Sequence, residues 1–253
     1  MEKISQSIIV VGATGGIGGA ISRKLLDTRH AVIGISSRAS HTDPAISKHK
    51  KYTHSQIDLA VPGTRVEKLK SLRQSLDAAN KSVSAVFMIA GIPAFGRIEN
   101  IAPDQVMKAI EINLSSVVDI AKIFKPALLE HVGRFNQPAS LIVFGSEADS
   151  LPGTDGPVYC ATKFGVRGLI ESLQPSWSRD NIRISLISPG AVRTPFYENT
   201  YFRPGESPDN ALTVEQCTEA ALFCMNFPAP GGIDHIRLSP KTRVFTKKQV
   251  SKR

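Results

Sequence analysis

Apolar positions follow two rhythms that alternate along the chain. Short runs rich in branched residues at Ile8–Val11, Ala31–Ile35, Val83–Ala90, Leu141–Phe144, Ile182–Ile187 and Ile233–Leu238 read as strands. Between them the spacing changes to three and four. Ile17, Ile21 and Leu25 predict a helix over Gly16–Thr28, and Val66, Leu69, Leu72 and Leu76 form a second stripe. Pro103 and Asp104 open a long helix carrying Val106, Ile110, Val117, Ile120 and Phe124 on one face. Further helices are predicted over Val158–Trp177 and Val214–Met225. Pro126 and Pro175 fall inside predicted helices, and each is expected to kink or end its helix.

Val83–Ala90 is apolar without a break, as a strand covered on both faces must be. The alternation of strand and helix predicts a single α/β domain over residues 1–240. Its sheet is Rossmann-like, doubly wound and parallel, with helices on both faces. Ligands of such sheets gather at the carboxyl ends of the strands, so motifs there carry the most weight. A length of 253 residues is enough for a large core without disulfides or metals to staple it.

Charge changes the picture only locally. The net charge of +9 suggests nucleic acid at first sight. Lys241, Arg243, Lys247, Lys248, Lys252 and Arg253 lie within residues 241–253, where no acid occurs. That stretch reads as a solvated basic tail, and Lys48, Lys50 and Lys51 as a solvated loop. No nucleic-acid motif accompanies either, so neither nucleic acid nor membrane is expected as a partner. Cys160, Cys217 and Cys224 fit no disulfide framework and no metal pattern, so no metal is expected and a reducing, cytoplasmic setting is. No apolar run is long enough to cross a bilayer. The final Ser251-Lys252-Arg253 is one residue short of the peroxisomal Ser-Lys-Leu pattern, whose Leu it lacks.

The first strand leads directly into Gly12-Ala13-Thr14-Gly15-Gly16-Ile17-Gly18 and a helix. Gly12 permits a tight turn, Gly16 removes a Cβ where backbone must approach a pyrophosphate, and Gly18 allows close packing of helix on sheet. The helix N-terminus then offers free N–H groups and a positive dipole to phosphate. A flexible glycine loop without a ligand is the bland alternative; the strand–turn–helix setting disfavours it. The GxxxGxG spacing resembles the short-chain dehydrogenase/reductase family. Membership implies that Gly12, Thr14, Gly15, Gly16, Ile17 and Gly18 hold a nicotinamide dinucleotide.

The second strand ends in Ser36, Ser37 and Arg38. A fold that prefers NAD usually places an acid there for the ribose hydroxyls. Two hydroxyls and a guanidinium suit a 2′-phosphate instead, so NADP(H) is expected over NAD(H). An ordinary exposed arginine is the alternative. Asp58 is expected to end the third strand, in Gln56-Ile57-Asp58-Leu59, and with Leu59 it resembles the family's adenine-contacting pair, although a lone Asp also serves helix caps and turns. Ala90 and Gly91 resemble the end of its Asn-Asn-Ala-Gly segment, with Met88 and Ile89 replacing the two Asn residues.

Tyr159 and Lys163 are four residues apart and share a helix face. A phenol alone is a weak acid–base catalyst near neutrality, and a neighbouring ammonium lowers its pKa. Such a pair is also common on helix surfaces. Ser146 follows the strand Leu141–Phe144 at the family's usual interval of 13 residues before the tyrosine. As a turn residue or N-cap it has a plain structural alternative. The resemblance implies that Ser146 holds a substrate oxygen, Tyr159 moves the proton, Lys163 tunes it and Asn113 supports reprotonation. Asn113 lies on an apolar stripe, where its amide must find a partner. Pro189, Gly190, Val192 and Thr194 resemble the segment over the nicotinamide, followed by a substrate loop from Phe196 to about Leu212. The resulting expectation is an oxidoreductase that transfers a hydride between NADP(H) and a small-molecule carbonyl or alcohol substrate, as a homodimer or homotetramer. The alternative is a non-catalytic dinucleotide-binding regulator or scaffold on the same fold.

Overall fold

A computed structural model describes residues 6–248. Its central sheet has seven parallel strands: β1 (Gln6–Val11), β2 (Ala31–Ser36), β3 (Tyr52–Gln56), β4 (Ser82–Met88), β5 (Ala139–Phe144), β6 (Ile182–Pro189) and β8 (His235–Leu238). The order is β3-β2-β1-β4-β5-β6-β8, so the winding reverses between β1 and β4. That reversal opens a crevice at the carboxyl edge. Helices α1 (Gly16–Asp27), α2 (Pro44–Ser47) and α7 (Val214–Asn226) cover one face. Helices α3 (Pro62–Ala78), α5 (Ser116–Phe135) and α6 (Pro157–Arg179) cover the other.

Strand alternation builds both cores at once. Ile9 and Val11 face the α3–α5–α6 layer, while Ile8 and Val10 face α1 and α7. β4 does the same with Val86 and Met88 on one side and Ala85 and Phe87 on the other. The unbroken apolar run is thus a strand buried on both faces, and the single doubly wound sheet is as expected.

Four expectations change. The long helix opened by Pro103 is not continuous. It comprises α4 (Pro103–Ile110), a π turn at Glu111–Ser115, and α5. Buried Arg65 on α3 clamps the irregular turn, meeting the carboxylates of Glu111 at 2.9 Å and Asp119 at 2.6 Å. Conversely, α5 runs through Pro126 and α6 through Pro175. Phe124, Ala127 and Leu128 around one proline and Trp177 beyond the other are buried, and that packing outweighs one missing hydrogen bond per proline. The third strand ends at Gln56, two residues before Asp58.

The fourth change concerns the basic tail. Residues 241–248 are largely exposed, as expected of a solvated stretch, but they are tied to the domain rather than free of it. β9 (Phe245–Lys247) pairs antiparallel with β7 (Phe202–Pro204) in a separate two-stranded sheet. Arg243 grips Glu147 through both ends of its fork at 3.0 Å, and Lys241 meets Asp209 at 3.0 Å. Lys248 donates to the Tyr197 and Glu198 carbonyls. Available carboxylates and an open strand edge thus recruit the basic segment. Residues 249–253, with Lys252 and Arg253, lie outside the described residues. Among the described residues no helix is long and apolar enough to cross a membrane.

Candidate active site

Backbone geometry makes the glycine turn. Gly12 adopts φ +87°, which a side chain would resist, and a Cβ there would meet the Ala90 backbone at 2.8 Å. Its N–H donates to the Ile35 carbonyl at 2.8 Å, which ties the turn to the end of β2. A Cβ at Gly18 would lie 2.2 Å from the Gly12 carbonyl oxygen, so only glycine lets α1 begin this close to β1. Gly15 is the N-cap of α1 and supplies no side-chain cap. The first N–H groups of α1 therefore have neither an intrahelical partner nor a capping side chain. Gly16 lies against the Thr194 methyl, where a Cβ would approach to 2.9 Å, and Thr14 and Ile17 are half-buried beside it. This cradle of uncapped N–H groups fits a phosphate-bearing dinucleotide.

The turn after β2 is shaped from below. Ser36 is buried, and its hydroxyl accepts from the Arg38 N–H at 3.2 Å and contacts His54 Nε2 at 3.2 Å. Its hydroxyl thus forms the turn, while Ser37 and Arg38 stay exposed beyond it. Tyr52 bonds His54 at 2.8 Å, and His41 holds the Ala13 carbonyl at 2.9 Å. This His41–Tyr52–His54 support gave no readable sequence signal, because His41 lies in the loop after β2, apart from Tyr52 and His54 on β3. Gly34 makes room for it: a Cβ there would overlap the Tyr52 hydroxyl at 2.0 Å. Asp58 is exposed and accepts from the Ala60 N–H at 2.9 Å. The Leu59 side chain belongs to the core, and its carbonyl receives Arg65 at 2.5 Å.

Ser146, Tyr159 and Lys163 line one cavity. Gly145 anchors the segment by donating to the Ile187 carbonyl at 2.7 Å, and Ser146 follows in extended backbone. The Ser146 hydroxyl caps a short helical turn by accepting from the Ala148 N–H at 3.2 Å. Tyr159, only 7% exposed, lines the same cavity as Ser146. Burial pushes its pKa above the ordinary phenol value, and the Ser146 contact works against that rise. The expected lowering is thus reversed: desolvation dominates, and the phenol keeps its proton at neutral pH. Lys163 is 4% exposed and donates to the Phe144 carbonyl at 2.9 Å. Burial brings its pKa down to about 8, and the charge of Asp149 opposes the fall.

Asn113 sits in the π turn, 1% exposed. Its amide accepts from the Ile92 N–H at 2.8 Å and donates to the Ile92 carbonyl at 3.0 Å and the Thr162 hydroxyl at 3.2 Å. It therefore fastens the segment after β4 to α6, one residue from Lys163. Gly91 stands between them: a Cβ would come within 3.4 Å of the Asn113 oxygen and 3.7 Å of the Lys163 nitrogen.

Asp149 is a member that sequence reading missed. It is fully buried, and one carboxylate oxygen accepts from Ser188 and from the Ser146 N–H at 3.4 Å. His235 continues the chain, 2.8 Å from the Ser188 hydroxyl. Its other oxygen has no hydrogen-bond partner among the described residues. Gly145 leaves space for this pair, since a Cβ would meet Asp149 at 2.6 Å and Ser188 at 2.9 Å. The signal lay in Asp149 three residues after Ser146, readable only as a cap.

A cavity of about 480 Å³ opens over these groups. Ile17, Gly91, Pro189, Gly190, Val192 and Thr194 line it together with Ser146, Tyr159 and Lys163. Phe95, Phe196, Tyr197, Tyr201, Phe202 and Phe245 line it as well. Ser36, Ser37, Arg38, Asp58 and Leu59 are not part of its wall.

A doubly wound sheet with a glycine turn at its switch point and a buried Ser–Tyr–Lys cluster beyond it defines a dinucleotide-fold oxidoreductase architecture. The family model of short chain dehydrogenase matches residues 6–202, and the chain belongs to this short-chain dehydrogenase/reductase family of oxidoreductases. It is 27% identical over 195 residues to the short-chain dehydrogenase/reductase olcF of Penicillium canescens, spanning 77% of this chain and 72% of that one. It is 25% identical to the NADP-dependent 3-hydroxy acid dehydrogenase YdfG of Salmonella typhi, over 94% of this chain and 96% of that one. Among solved structures, the fold matches an alcohol dehydrogenase from the archaeon Thermococcus sibiricus complexed with 5-hydroxy-NADP. The TM-score is 0.80 at 20% identity, over 96% and 99% of the two chains.

Proposed function

We propose that the chain is an NADP(H)-dependent oxidoreductase that interconverts a carbonyl substrate and its alcohol. The carrying observation is that Ser146, Tyr159 and Lys163 line one cavity whose wall also includes Ile17 of the helix-opening glycine segment. The bound dinucleotide supplies or accepts the hydride. The chain's residues do the rest. The Ser146 hydroxyl and the Tyr159 phenol hold the substrate oxygen, and the phenol, protonated at neutral pH, donates the proton. Buried Lys163 carries its positive charge through neutral pH and stabilises the phenolate left behind. Asn113 holds α6 and the segment after β4 in register, which fixes Lys163 and supports reprotonation. In the oxidative direction the same groups act in reverse order.

The N–H groups of Gly16, Ile17 and Gly18 receive the pyrophosphate, with Gly12, Thr14 and Gly15 shaping the turn. Ala90, Gly91, Pro189, Gly190, Val192 and Thr194 flank the nicotinamide half. Asp58 and Leu59 stand at the adenine end. NADP(H) is preferred because Ser37 and Arg38 are exposed after β2 where no carboxylate stands to repel a 2′-phosphate. The family resemblance adds a homodimer or homotetramer.

The test mixes the protein with NADPH and a panel of ketones and aldehydes and follows NADPH absorbance. Carbonyl-dependent oxidation of NADPH is expected, with NADH a poorer donor. Tight dinucleotide binding without turnover of any carbonyl would leave a regulatory binder instead.

A further inference from the structure

The cavity has two unlike ends. Near the glycine turn its walls are backbone and aliphatic: Ile17, Gly91, Gly190 and Val192. Beyond Tyr159 they are aromatic and come from four separate segments. Phe95 lies after β4, Phe196 and Tyr197 in a short turn after β6, Phe202 on β7 and Phe245 on β9. The rings form one connected surface. Phe95 stands 4.9 Å from both Tyr159 and Phe202 between ring centres, and Phe202 meets Phe245 edge-on at 5.3 Å. Gly156 keeps the Phe95 seat open, since a Cβ there would touch that ring at 2.9 Å. The proton-donating phenol is thus itself a member of the aromatic wall.

Three charged side chains line this end, Glu147, Asp155 and Lys247, of mixed sign and outnumbered by the rings. Glu147 is neutralised by Arg243, and burial pushes Tyr197 up to about 12, which keeps it uncharged. Asp155 and Lys247 also line the cavity, and Lys247 is exposed. Phe245 is 49% exposed while one side of its ring packs on Phe202. Aromatic faces and edges favour other flat π systems over chains of equal apolar area.

Resting on the oxidoreductase reading above, we propose that the substrate is a ring-bearing, uncharged ketone or its secondary alcohol. Its ring lies against Phe95, Phe202 and Phe245, and its oxygen meets Tyr159 and Ser146. Phe245, delivered by the C-terminal strand, is a specificity-determining residue that covers the outer face of that ring.

The experiment compares β-tetralone, methyl hexyl ketone and acetoacetate as oxidants of NADPH, using the full chain and Phe245→Ala. Expected is a kcat/KM for β-tetralone about tenfold above the linear ketone and about a hundredfold above the charged keto acid. Phe245→Ala should raise the KM for β-tetralone about three- to tenfold with kcat kept, and Phe245→Tyr should restore it. Equal or better use of methyl hexyl ketone or acetoacetate overturns the proposal, as does an unchanged KM in Phe245→Ala. If no ketone oxidises NADPH, the oxidoreductase reading fails, and calorimetry decides the inference separately. Binding of β-tetralone in the presence of NADP+, weakened in Phe245→Ala, upholds the aromatic site; no binding sinks it.

Discussion

The two ends of the cavity are built from different parts of the amino acid. At the dinucleotide end the working atoms are backbone: a positive-φ glycine, uncapped helix N–H groups and positions where any Cβ would collide. Those demands fall on seven consecutive residues, Gly12–Gly18, at the β1–α1 junction, with Ala90 and Thr194 closing in from elsewhere. At the far end the working atoms belong to side chains that meet across long stretches of sequence, such as Arg243 with Glu147 and Phe245 with Phe202. A fold can keep the first end fixed while the second varies, because only the first is written into the strand–helix junction. The proposed catalytic cluster lies where the two meet, with Tyr159 packed on the aromatic side and Lys163 reaching back toward Gly91.

Removing the phenol should separate the ends most sharply. Tyr159→Phe keeps the ring contacts with Phe95 and Phe196 but deletes the acid. Turnover should fall about 10²–10⁴-fold while NADPH affinity, measured by fluorescence titration, stays close to the parent value. A fully active variant would remove Tyr159 from the chemistry. A smaller but selective effect is expected at the other end. Arg38→Ala should weaken NADPH binding about 10- to 100-fold, as loss of a charged hydrogen bond to phosphate implies, and leave NADH almost untouched. Equal losses for both cofactors would show that Arg38 does not face the 2′-phosphate.

This division also explains what the sequence disclosed. The parallel sheet and its helices were legible because each follows from local periodicity, and the pairing of Tyr159 with Lys163 because i and i+4 share a helix face; the approach of Ser146 was legible only through the family resemblance. The π turn at Glu111–Ser115 was not, since its residues keep the apolar stripe of an ordinary helix and only the Arg65 clamp, from α3, marks the irregularity. Docking of residues 241–248 was hidden for the same reason. A run of basic residues reads as solvated until its carboxylate partners, Glu147 and Asp209, are known to face it. The direction of the Tyr159 shift was misjudged because spacing reveals a nearby ammonium but not the burial that outweighs it.

The pH profile probes the seam between the ends. Lys163 acts as the ammonium, and burial places its pKa at about 8. Activity should therefore hold through neutral pH and decline above about pH 8, as the protonated fraction falls. Asp149 supports that charge from behind, amid Tyr159 and Arg167 on α6 and His235 on β8. Asp149→Asn keeps the shape and an acceptor for Ser188 but deletes the negative charge. The Lys163 pKa should drop further, so the alkaline limb of kcat/KM should move to lower pH. A lower rate with the limb in place would mean that Asp149 only holds Ser146.

The smallest effect is expected where the C-terminal strand is tied down. Burial disfavours the Glu147 carboxylate, yet Arg243 and the Ser239 hydroxyl outweigh it and hold its pKa below the ordinary value. Arg243 is half exposed, so water and salt screen much of the pair's attraction. Backbone pairing of β7 with β9 and the Phe202–Phe245 contact remain when the pair is broken. Arg243→Gln should therefore raise KM less than about threefold and leave kcat alone, and added salt should produce a similar rise in the parent protein. The effect should vanish in Phe245→Ala, because a loosened strand has no ring left to misplace. Independent, additive losses in the double variant would show instead that Arg243 acts on the site through Glu147 and not through the position of β9.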